Sequence, residues 1–180
     1  MSNRREKIPP HFVVWVVDDD LNARELAAEC IMRVADSMKL AVEIREITNL
    51  TWPPEYGKGP KNPKEGELPH LVVLDLLQQG VLVGNNFYNG LRNEEENGQA
   101  RRAKAFVIMW SVFLSRDNKA RAFAATEART DDRAINLKVG YQTPKAADVL
   151  AEAVRGAFGR MLAEDIWAIE AEGLRIPWVD

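Results

Sequence analysis

The sequence predicts a doubly wound α/β fold with a five-stranded parallel sheet. Three short segments, residues 12–17, 71–77 and 106–113, are almost purely apolar. Such runs are typical of parallel strands that helices cover on both faces. Two further segments, residues 42–47 and 134–140, alternate apolar and polar side chains, which indicates half-exposed edge strands. With the apolar strands inside and the alternating strands at the edges, the expected strand order is 2-1-3-4-5.

The first strand is followed by the pattern of an amphipathic helix. Apolar side chains recur at helical spacing from Ala23 to Met38. Asn22 and Glu25 have the spacing of a capping box, so they are expected to begin this helix. The next connection, residues 48–70, contains five prolines, which no ordinary helix tolerates. A degenerate second helix, or none, is therefore expected there.

Three more helices are predicted in the second half of the chain. Residues 86–92 and 119–128 have the composition of short helices. The last helix is expected to begin at Thr143 and Pro144, because a capping hydroxyl followed by proline is typical of a first helical turn. No further proline occurs before residue 173, which predicts an extended C-terminal helix.

The alternation of strands and helices predicts a single domain. The chain has 180 residues, of which 46% are hydrophobic and 28% are charged, as in ordinary globular proteins. We expect one domain over residues 1–180, with a core at about residues 11–160 and a helical extension at residues 161–180.

The composition argues against several classes of function. The net charge of -3 and the scattered basic residues do not predict nucleic-acid binding. Cys30 is the single cysteine, so an internal disulfide is impossible. The two histidines, His11 and His70, have no second metal ligand at the spacing of a zinc site. The N-terminal residues lack an apolar stretch and no segment is long enough to cross a membrane, so a cytoplasmic protein is expected.

Polar side chains stand at the carboxyl ends of the predicted strands, where ligands bind in open α/β sheets. They are Asp18, Asp19 and Asp20 after the first strand, Asp75 in the third, Ser111 in the fourth and Lys138 in the fifth. Helix capping accounts for Asp18 or Asp20. It does not account for Asp75, because a charge inside an apolar strand is costly without a partner. These side chains are expected to converge at one edge of the sheet.

This set of residues points to phosphoryl transfer. Clustered carboxylates without histidine or cysteine favour a hard cation, and Mg²⁺ is the usual one beside phosphate. A carboxylate next to Mg²⁺ can attack phosphorus and form an aspartyl phosphate. A lysine and a hydroxyl near the transferred oxygens would stabilise the charge that develops there. The pattern therefore predicts a phosphoryl group on Asp75, with Mg²⁺ as the cofactor.

Three segments resemble the receiver domains of bacterial response regulators, in the order in which that family has them. VVWVVDDDLNARELAAECI resembles the first strand, acidic pair and first helix. LVVLDLL resembles the third strand with its phosphoacceptor, and FVIMWSVF resembles the fourth strand with its hydroxyl. The resemblance covers about residues 11–160 and implies a flavodoxin-like receiver fold. It also implies a site with Asp18 and Asp19 as the metal-binding acidic pair, Asp75 as phosphoacceptor and metal ligand, Leu77 as a metal ligand through its backbone carbonyl, and Ser111 and Lys138 as contacts of the phosphoryl oxygens.

Some positions depart from the pattern of that family. Lys138 is not followed by proline, and an alignment based on Pro144 places Gly140 at the position of the lysine. Val112 is bulkier than the small residue that usually follows the hydroxyl. Residues 78–80 (QQG) stand where the family commonly has a proline after the phosphoacceptor.

The resemblance implies a signalling protein of a two-component system rather than a dedicated enzyme. A histidine kinase or phosphotransfer protein would supply the phosphoryl group, and the domain itself would catalyse its transfer and its hydrolysis. Too few residues follow Thr143 for an attached output domain. Apolar residues late in the last helix predict a homodimer contact, with folding back onto the same domain as the alternative. These residues are Met161, Leu162, Ile166, Trp167 and Ile169.

Two other functions stay open at the level of the sequence. One is a receiver-like interaction module that is not phosphorylated, which the proline-rich connection favours. The other is a phosphatase of the haloacid dehalogenase type, because Asp18 and Asp20 form an Asp-x-Asp. Asn22 stands where that family has threonine or valine, and the acidic pair Asp131 and Asp132 precedes a strand instead of ending one. A nucleotide-binding Rossmann domain is not favoured, because no glycine-rich turn follows the first strand.

Overall fold

Five parallel strands form the central sheet of the protein. The computed structural model describes residues 11–54, 68–97, 104–110, 117–137 and 145–164. In chain order the strands are β1 (His11–Val17), β2 (Ala41–Ile47), β3 (Leu71–Leu74), β4 (Leu77–Gln78), β5 (Val81–Leu82), β6 (Phe106–Trp110) and β7 (Ala134–Leu137). β4 and β5 form a separate antiparallel hairpin. The central sheet has the order β2-β1-β3-β6-β7 with all neighbours parallel, which confirms the predicted order 2-1-3-4-5.

Four helices in the described residues cover the two faces of the sheet. They are α1 (Leu21–Met38), α2 (Gly84–Asn97), α3 (Asn118–Thr130) and α4 (Ala146–Ala163). The side chains of β1 show how the faces divide, because neighbours along a strand point to opposite sides. Phe12 and Val14 belong to the core beneath α1 and α4, whereas Val13 and Trp15 belong to the core beneath α2 and α3. Both faces of β1 are therefore buried, which explains its continuous apolar run.

β1 is paired along both of its edges. It pairs with β2 over its whole length, and with β3 from Val14 to Val17. His70 continues the second pairing where β3 has not yet begun. Its Nδ1 accepts a hydrogen bond from the Val13 N–H (2.9 Å), and its own N–H donates to the Val13 carbonyl (2.8 Å). His70 thus extends the pairing of the sheet through its backbone N–H and its ring nitrogen.

The connection between β2 and β3 contains no helix in its described part. Side chains of the connection cover the sheet instead: Leu50 and Leu68 are buried beside the sheet. Trp52 packs against Phe87 of α2, with 5.3 Å between the ring centroids. Gly90 makes room for it, because a Cβ there would come within 2.1 Å of the Trp52 ring. One indole thus covers part of the face that a second helix would otherwise cover.

The start of α1 differs from the prediction. Asp20 is the N-cap, and its carboxylate accepts a hydrogen bond from the Ala23 N–H (3.1 Å). The predicted capping box of Asn22 and Glu25 is wrong, because the helix has already begun at Leu21. Aspartate and asparagine cap a helix about equally well. Asp20 comes before Asn22 in the chain, so the helix starts at the earlier of the two possible caps.

The third predicted strand is shorter than its apolar run suggests. β3 ends at Leu74 and β4 begins at Leu77, so Asp75 lies in the break between two strands rather than inside one. Leu76, in the same break, is fully buried. Leu77, the first residue beyond the break, is as apolar and as buried as the residues of β3, so hydropathy alone does not reveal where the strand ends.

The last helix is described from Ala146 to Ala163. Met161 is buried in the core of the fold, so the expectation that it forms a dimer contact is wrong. Leu162 is only partly buried against that core, so its part in a dimer contact stays a prediction. The core therefore extends to the end of the described helix. Thr143, Pro144 and residues 165–180, with the remaining part of the predicted extension, lie outside the described residues. Within the described part of the chain, no helix is both long and apolar enough to cross a membrane.

Candidate functional site

Three carboxylates meet at the carboxyl edge of the sheet. Val17 of β1 pairs with Leu74 of β3, so the residues that follow them leave the sheet side by side. One carboxylate oxygen from each of Asp18, Asp19 and Asp75 lies within 4.8 Å of the other two. Asp18 and Asp75 are only 5% and 7% exposed, whereas Asp19 faces the solvent. The structure thus brings together the acidic residues that the sequence predicted for a metal site.

Backbone hydrogen bonds hold these residues in place. The Asp75 N–H donates to the carbonyl of Val17 (2.8 Å), which extends the pairing of β1 and β3 by one residue. The turn after β1 is closed by the Asp20 N–H, which donates to Asp18 Oδ1 (2.8 Å). The buried guanidinium of Arg24 donates to the Asp18 carbonyl (2.8 Å). These bonds fix the acidic side chains to the rigid part of the fold, as a preorganised site requires.

The crowding of the carboxylates changes their chemistry. Burial raises the pKa of Asp18 to about 8, and the neighbouring charges of Asp75, Asp19 and Asp20 act in the same direction. The hydrogen bond from the Asp20 N–H offsets only part of this rise. A cation at the cluster would stabilise the ionised form of Asp18, because it would replace repulsion with attraction.

The hairpin of β4 and β5 begins directly beside Asp75. The Leu77 N–H donates to Asp75 Oδ1 (3.0 Å), so Leu77 is held against the acidic cluster. Its backbone carbonyl as a metal ligand stays a prediction. At the tip, Gln79 and Gly80 both have positive φ angles, +51° and +78°. This is the geometry of a type I′ turn, which matches the twist of a two-residue hairpin.

The tip of the hairpin reaches the exposed acidic residue. The Gln79 N–H donates to Asp19 Oδ2 (3.2 Å). Gln78 accepts a hydrogen bond through its side-chain oxygen from the Leu50 N–H (3.4 Å), which links the hairpin to the connection after β2. This hairpin was not predicted from the sequence. The Gln-Gly pair between two short apolar stretches is the signal that indicates it.

α2 starts close behind Asp75. The Gly84 N–H donates to the Leu76 carbonyl (3.0 Å) at the first residue of the helix. A Cβ at Gly84 would come within 2.4 Å of the Asp75 carbonyl oxygen, far inside normal contact. Glycine is therefore required for the close approach of the helix to the backbone of Asp75.

The two remaining predicted site residues, Ser111 and Lys138, lie outside the described residues. The strands that precede them end at Trp110 and Leu137, which are partners across the sheet at the same edge as the carboxylates. Their roles therefore stay predictions.

The acidic pair considered for a phosphatase lies elsewhere. Asp131 follows α3 and precedes β7, at the amino edge of the sheet. Its carboxylate accepts hydrogen bonds from Tyr88 and Arg92 instead of joining the carboxylate cluster. Asp131 and Asp132 therefore supply no ligand to the site at the carboxyl edge.

The donor set suits a hard divalent cation. The cluster offers three carboxylate oxygens, the ligands that Mg²⁺ prefers. Asp18, Asp19 and Asp75 would hold the ion, and the buried position of two of them would keep much of the solvent away. The observed geometry thus fits the predicted Mg²⁺ site.

Comparisons with known proteins give structural neighbours only. No protein family model and no curated protein matches the sequence. Oxidised flavodoxin 2 from Bacillus cereus is similar in structure, with 12% identity, a TM-score of 0.46, and coverage of 83% of this chain and 98% of its own. A bacteriophytochrome response regulator is similar with 15% identity, a TM-score of 0.39, and coverage of 91% of this chain and 95% of its own. The flavodoxin-like fold class follows from the strand order and the placement of the helices on both faces.

Proposed function

We propose that the protein is a response-regulator receiver that accepts a phosphoryl group on Asp75. The observation that carries this proposal is the position of Asp75. It is buried directly after a central strand, with Asp18 and Asp19 at metal-binding distance from its carboxylate. Gathering it with two further carboxylates serves phosphoryl chemistry better than stability.

The proposed reaction is a displacement at phosphorus. A carboxylate oxygen of Asp75 attacks the phosphorus of a phosphohistidine or a small acyl phosphate. The new O–P bond forms as the bond to the leaving imidazole nitrogen or carboxylate oxygen breaks, and the leaving group keeps the electron pair. When bound, Mg²⁺ would neutralise the charge of the transferred oxygens. Asp18 and Asp19 would hold the ion against the oxygens of Asp75.

Further residues complete the proposed site. Lys138 would contribute a positive charge beside the phosphoryl oxygens, and Ser111 a hydrogen bond. The carbonyl of Leu77 would provide another oxygen ligand for Mg²⁺. The donor would be a histidine kinase or a phosphotransfer protein. The phosphorylated form would act through a partner protein or through a homodimer that involves the C-terminal helix.

Intact-mass analysis after incubation with acetyl phosphate tests the proposal. We expect one added phosphoryl group with Mg²⁺ and none when the metal is chelated. Asp75→Asn should remove the modification. Asp36→Asn, which changes an exposed aspartate on α1, should keep it. Labelling of the Asp75→Asn variant at the wild-type rate would show that another residue accepts the group.

The same experiment separates the proposal from its main alternative. A protein that binds Mg²⁺ but takes no phosphoryl group, from acetyl phosphate or from a phosphorylated phosphotransfer protein, would be a receiver-like interaction module. The proline-rich connection and the hairpin after Asp75 are the features that favour this alternative.

A further inference from the structure

The hairpin of β4 and β5 lies between Asp75 and Asp19 and makes a backbone hydrogen bond to each of their carboxylates. We propose that it orients Asp19 as a Mg²⁺ ligand through the backbone N–H of Gln79, and thereby sets the affinity of the site for Mg²⁺. This inference rests on the proposed function, because it assumes that Mg²⁺ binds at the carboxylate cluster. It assigns a positioning role to Gln79 and to the turn that it shares with Gly80.

Asp19 needs such an orienting contact. It is the exposed member of the cluster, so its side chain is not fixed by surrounding core atoms as those of Asp18 and Asp75 are. The Gln79 N–H donates to its Oδ2 at 3.2 Å. A carboxylate can accept this bond on one oxygen and bind a cation with the other. The hydrogen bond would therefore hold Asp19 in one conformation while leaving it able to bind a metal.

The hairpin is anchored firmly enough to hold this position. At its start, the Leu77 N–H donates to Asp75 Oδ1 (3.0 Å). At its end, the N–H groups of Val83 and Gly84 both donate to the Leu76 carbonyl, each at 3.0 Å. The tip is thus fixed relative to Asp75, and its N–H fixes Asp19. Two of the three carboxylates are joined through one short hairpin.

Mg²⁺ is the cation for which this arrangement matters. It demands near-ideal octahedral geometry with short metal–oxygen distances, whereas Ca²⁺ accepts variable and flexible ligand sets. Groups that orient a metal ligand without touching the metal commonly change metal affinity by about tenfold or more. A loose Asp19 would therefore weaken Mg²⁺ binding more than Ca²⁺ binding.

A substitution at Gly80 can alter the backbone of the turn without replacing any of the three carboxylates. A Cβ at this position would meet no heavy atom of the described residues within 4 Å, so a side chain has space. Its φ of +78° is the obstacle, because β-branched residues avoid this region whereas asparagine tolerates it. Gly80→Val should distort the turn, and Gly80→Asn should preserve it. Gly156→Ala, a change into open space on α4, is the control for an unrelated glycine.

Titration calorimetry of the full chain with Mg²⁺ alone, and then with Ca²⁺ alone, gives the test. Gly80→Val should bind Mg²⁺ about tenfold more weakly than the wild type, with a smaller loss for Ca²⁺. Gly80→Asn and Gly156→Ala should stay within about twofold of the wild type. Equal Mg²⁺ affinities of Gly80→Val and the wild type would overturn the positioning role. An equal loss for both cations would also overturn it, because general damage to the fold does not discriminate between ions.

Residue-resolved amide hydrogen exchange of the wild-type protein gives an independent test. It needs no variant, so a misfolded variant cannot affect the result. If the Gln79 N–H orients Asp19, Mg²⁺ should slow its exchange several-fold, since the metal fixes the acceptor. Faster exchange with Mg²⁺ would mean that the metal and the N–H compete for Asp19, which contradicts the proposal. Absence of any Mg²⁺ binding by the wild type would overturn the proposed function as well. If the wild type binds Mg²⁺ and is phosphorylated, and Gly80→Val binds Mg²⁺ with the same affinity, only the role of the hairpin would be overturned.

Discussion

Buried charges occupy both edges of the sheet, but they are arranged in opposite ways. At the amino edge, Arg92 donates to Asp131 (2.9 Å) and to Glu95 (2.8 Å), so that opposite charges neutralise each other. At the carboxyl edge, the buried carboxylates of Asp18 and Asp75 lie close together, and the charge of Asp75 helps to raise the pKa of Asp18. The first arrangement ties α2 to the loop before β7. The second brings like charges together, and a bound cation would relieve the repulsion between their ionised forms.

The pKa values of two aspartates express this contrast. Burial alone would raise the pKa of Asp131, but hydrogen bonds from Tyr88, a backbone N–H and Arg92 lower it below its usual value. Burial and the charge of Asp75 raise the pKa of Asp18 to about 8. The pKa of the same type of side chain is thus lowered at one edge of the sheet and raised at the other. Neighbours decide the protonation state as much as depth does.

The largest effect is expected at the amino edge. Arg92→Leu would leave Asp131 and Glu95 buried without their cation, and breaking such a buried pair costs about 3–5 kcal/mol of unfolding free energy. Denaturant unfolding would measure it. Arg33→Leu is the matched control, since Arg33 and Glu29 form an ion pair that is 59% and 69% exposed. That change should cost no more than about 0.5 kcal/mol. Similar losses for both variants would contradict the contrast between a buried and a surface pair.

A smaller effect is expected behind the carboxylate cluster. Gly84→Ala should lower the unfolding free energy by about 2–3 kcal/mol, because the new Cβ would force the backbone of Asp75 away from α2. Phosphorylation should slow in the same variant. Gly159→Ala, in the interior of α4 with open space around it, should instead gain up to about 1 kcal/mol. Calorimetric melting and intact-mass kinetics would compare the two. If Gly84→Ala has the wild-type stability and phosphorylation rate, the close approach of Gly84 to the Asp75 backbone is not needed.

The smallest effect is a gain in stability at the carboxyl edge. The pKa of Asp18 is about 8 in the folded protein against a model value of 3.8, so its ionisation destabilises the metal-free fold as pH rises between these values. Asp18→Asn removes this cost and keeps a side-chain oxygen for the Asp20 N–H. We expect it to stabilise the metal-free protein at pH 8, where the wild-type carboxyl begins to ionise in the folded state, and to have little effect near pH 4. Its Mg²⁺ binding should weaken at the same time.

Melting temperatures at both pH values, measured in chelator, would show this gain. A gain that is the same at pH 4 and pH 8 would mean that charge repulsion is not its cause. Asp36→Asn, at an exposed position on α1, should have no comparable pH-dependent effect.

The fold and the carboxylate cluster were predictable because short apolar segments in the sequence mark the strands, and the strand order then determines which side chains meet. A strand buried on both faces must be apolar throughout, so its position is visible in the sequence. The carboxyl ends of parallel strands meet at one edge, so Asp18, Asp19 and Asp75 had to come together once the strand order was known. Asp75 was conspicuous because it interrupts a hydrophobic run.

Other features could not be predicted because their causes are not local. Arg92 and Asp131 are 39 positions apart and look like ordinary surface charges in the sequence. The hairpin after Asp75 is too short to produce a recognisable alternation, and its Gln-Gly turn is a weaker hairpin signal than Asn-Gly or Asp-Gly. The need for glycine at position 84 arises from the backbone of Asp75, which no pattern around Gly84 reveals.

The double pairing of β1 also has a consequence for the synthesis of the chain. This strand is made first, yet it pairs with β3 only through residues 71–74, and with His70 at Val13. While the ribosome is still making the intervening connection, β1 can be paired with β2 alone. One edge of a strand that is apolar from Phe12 to Val17 then stays open until Leu74 has been made. During this interval the nascent chain exposes an unpaired apolar strand edge, which favours aggregation, and Asp75 has not yet joined Asp18 and Asp19.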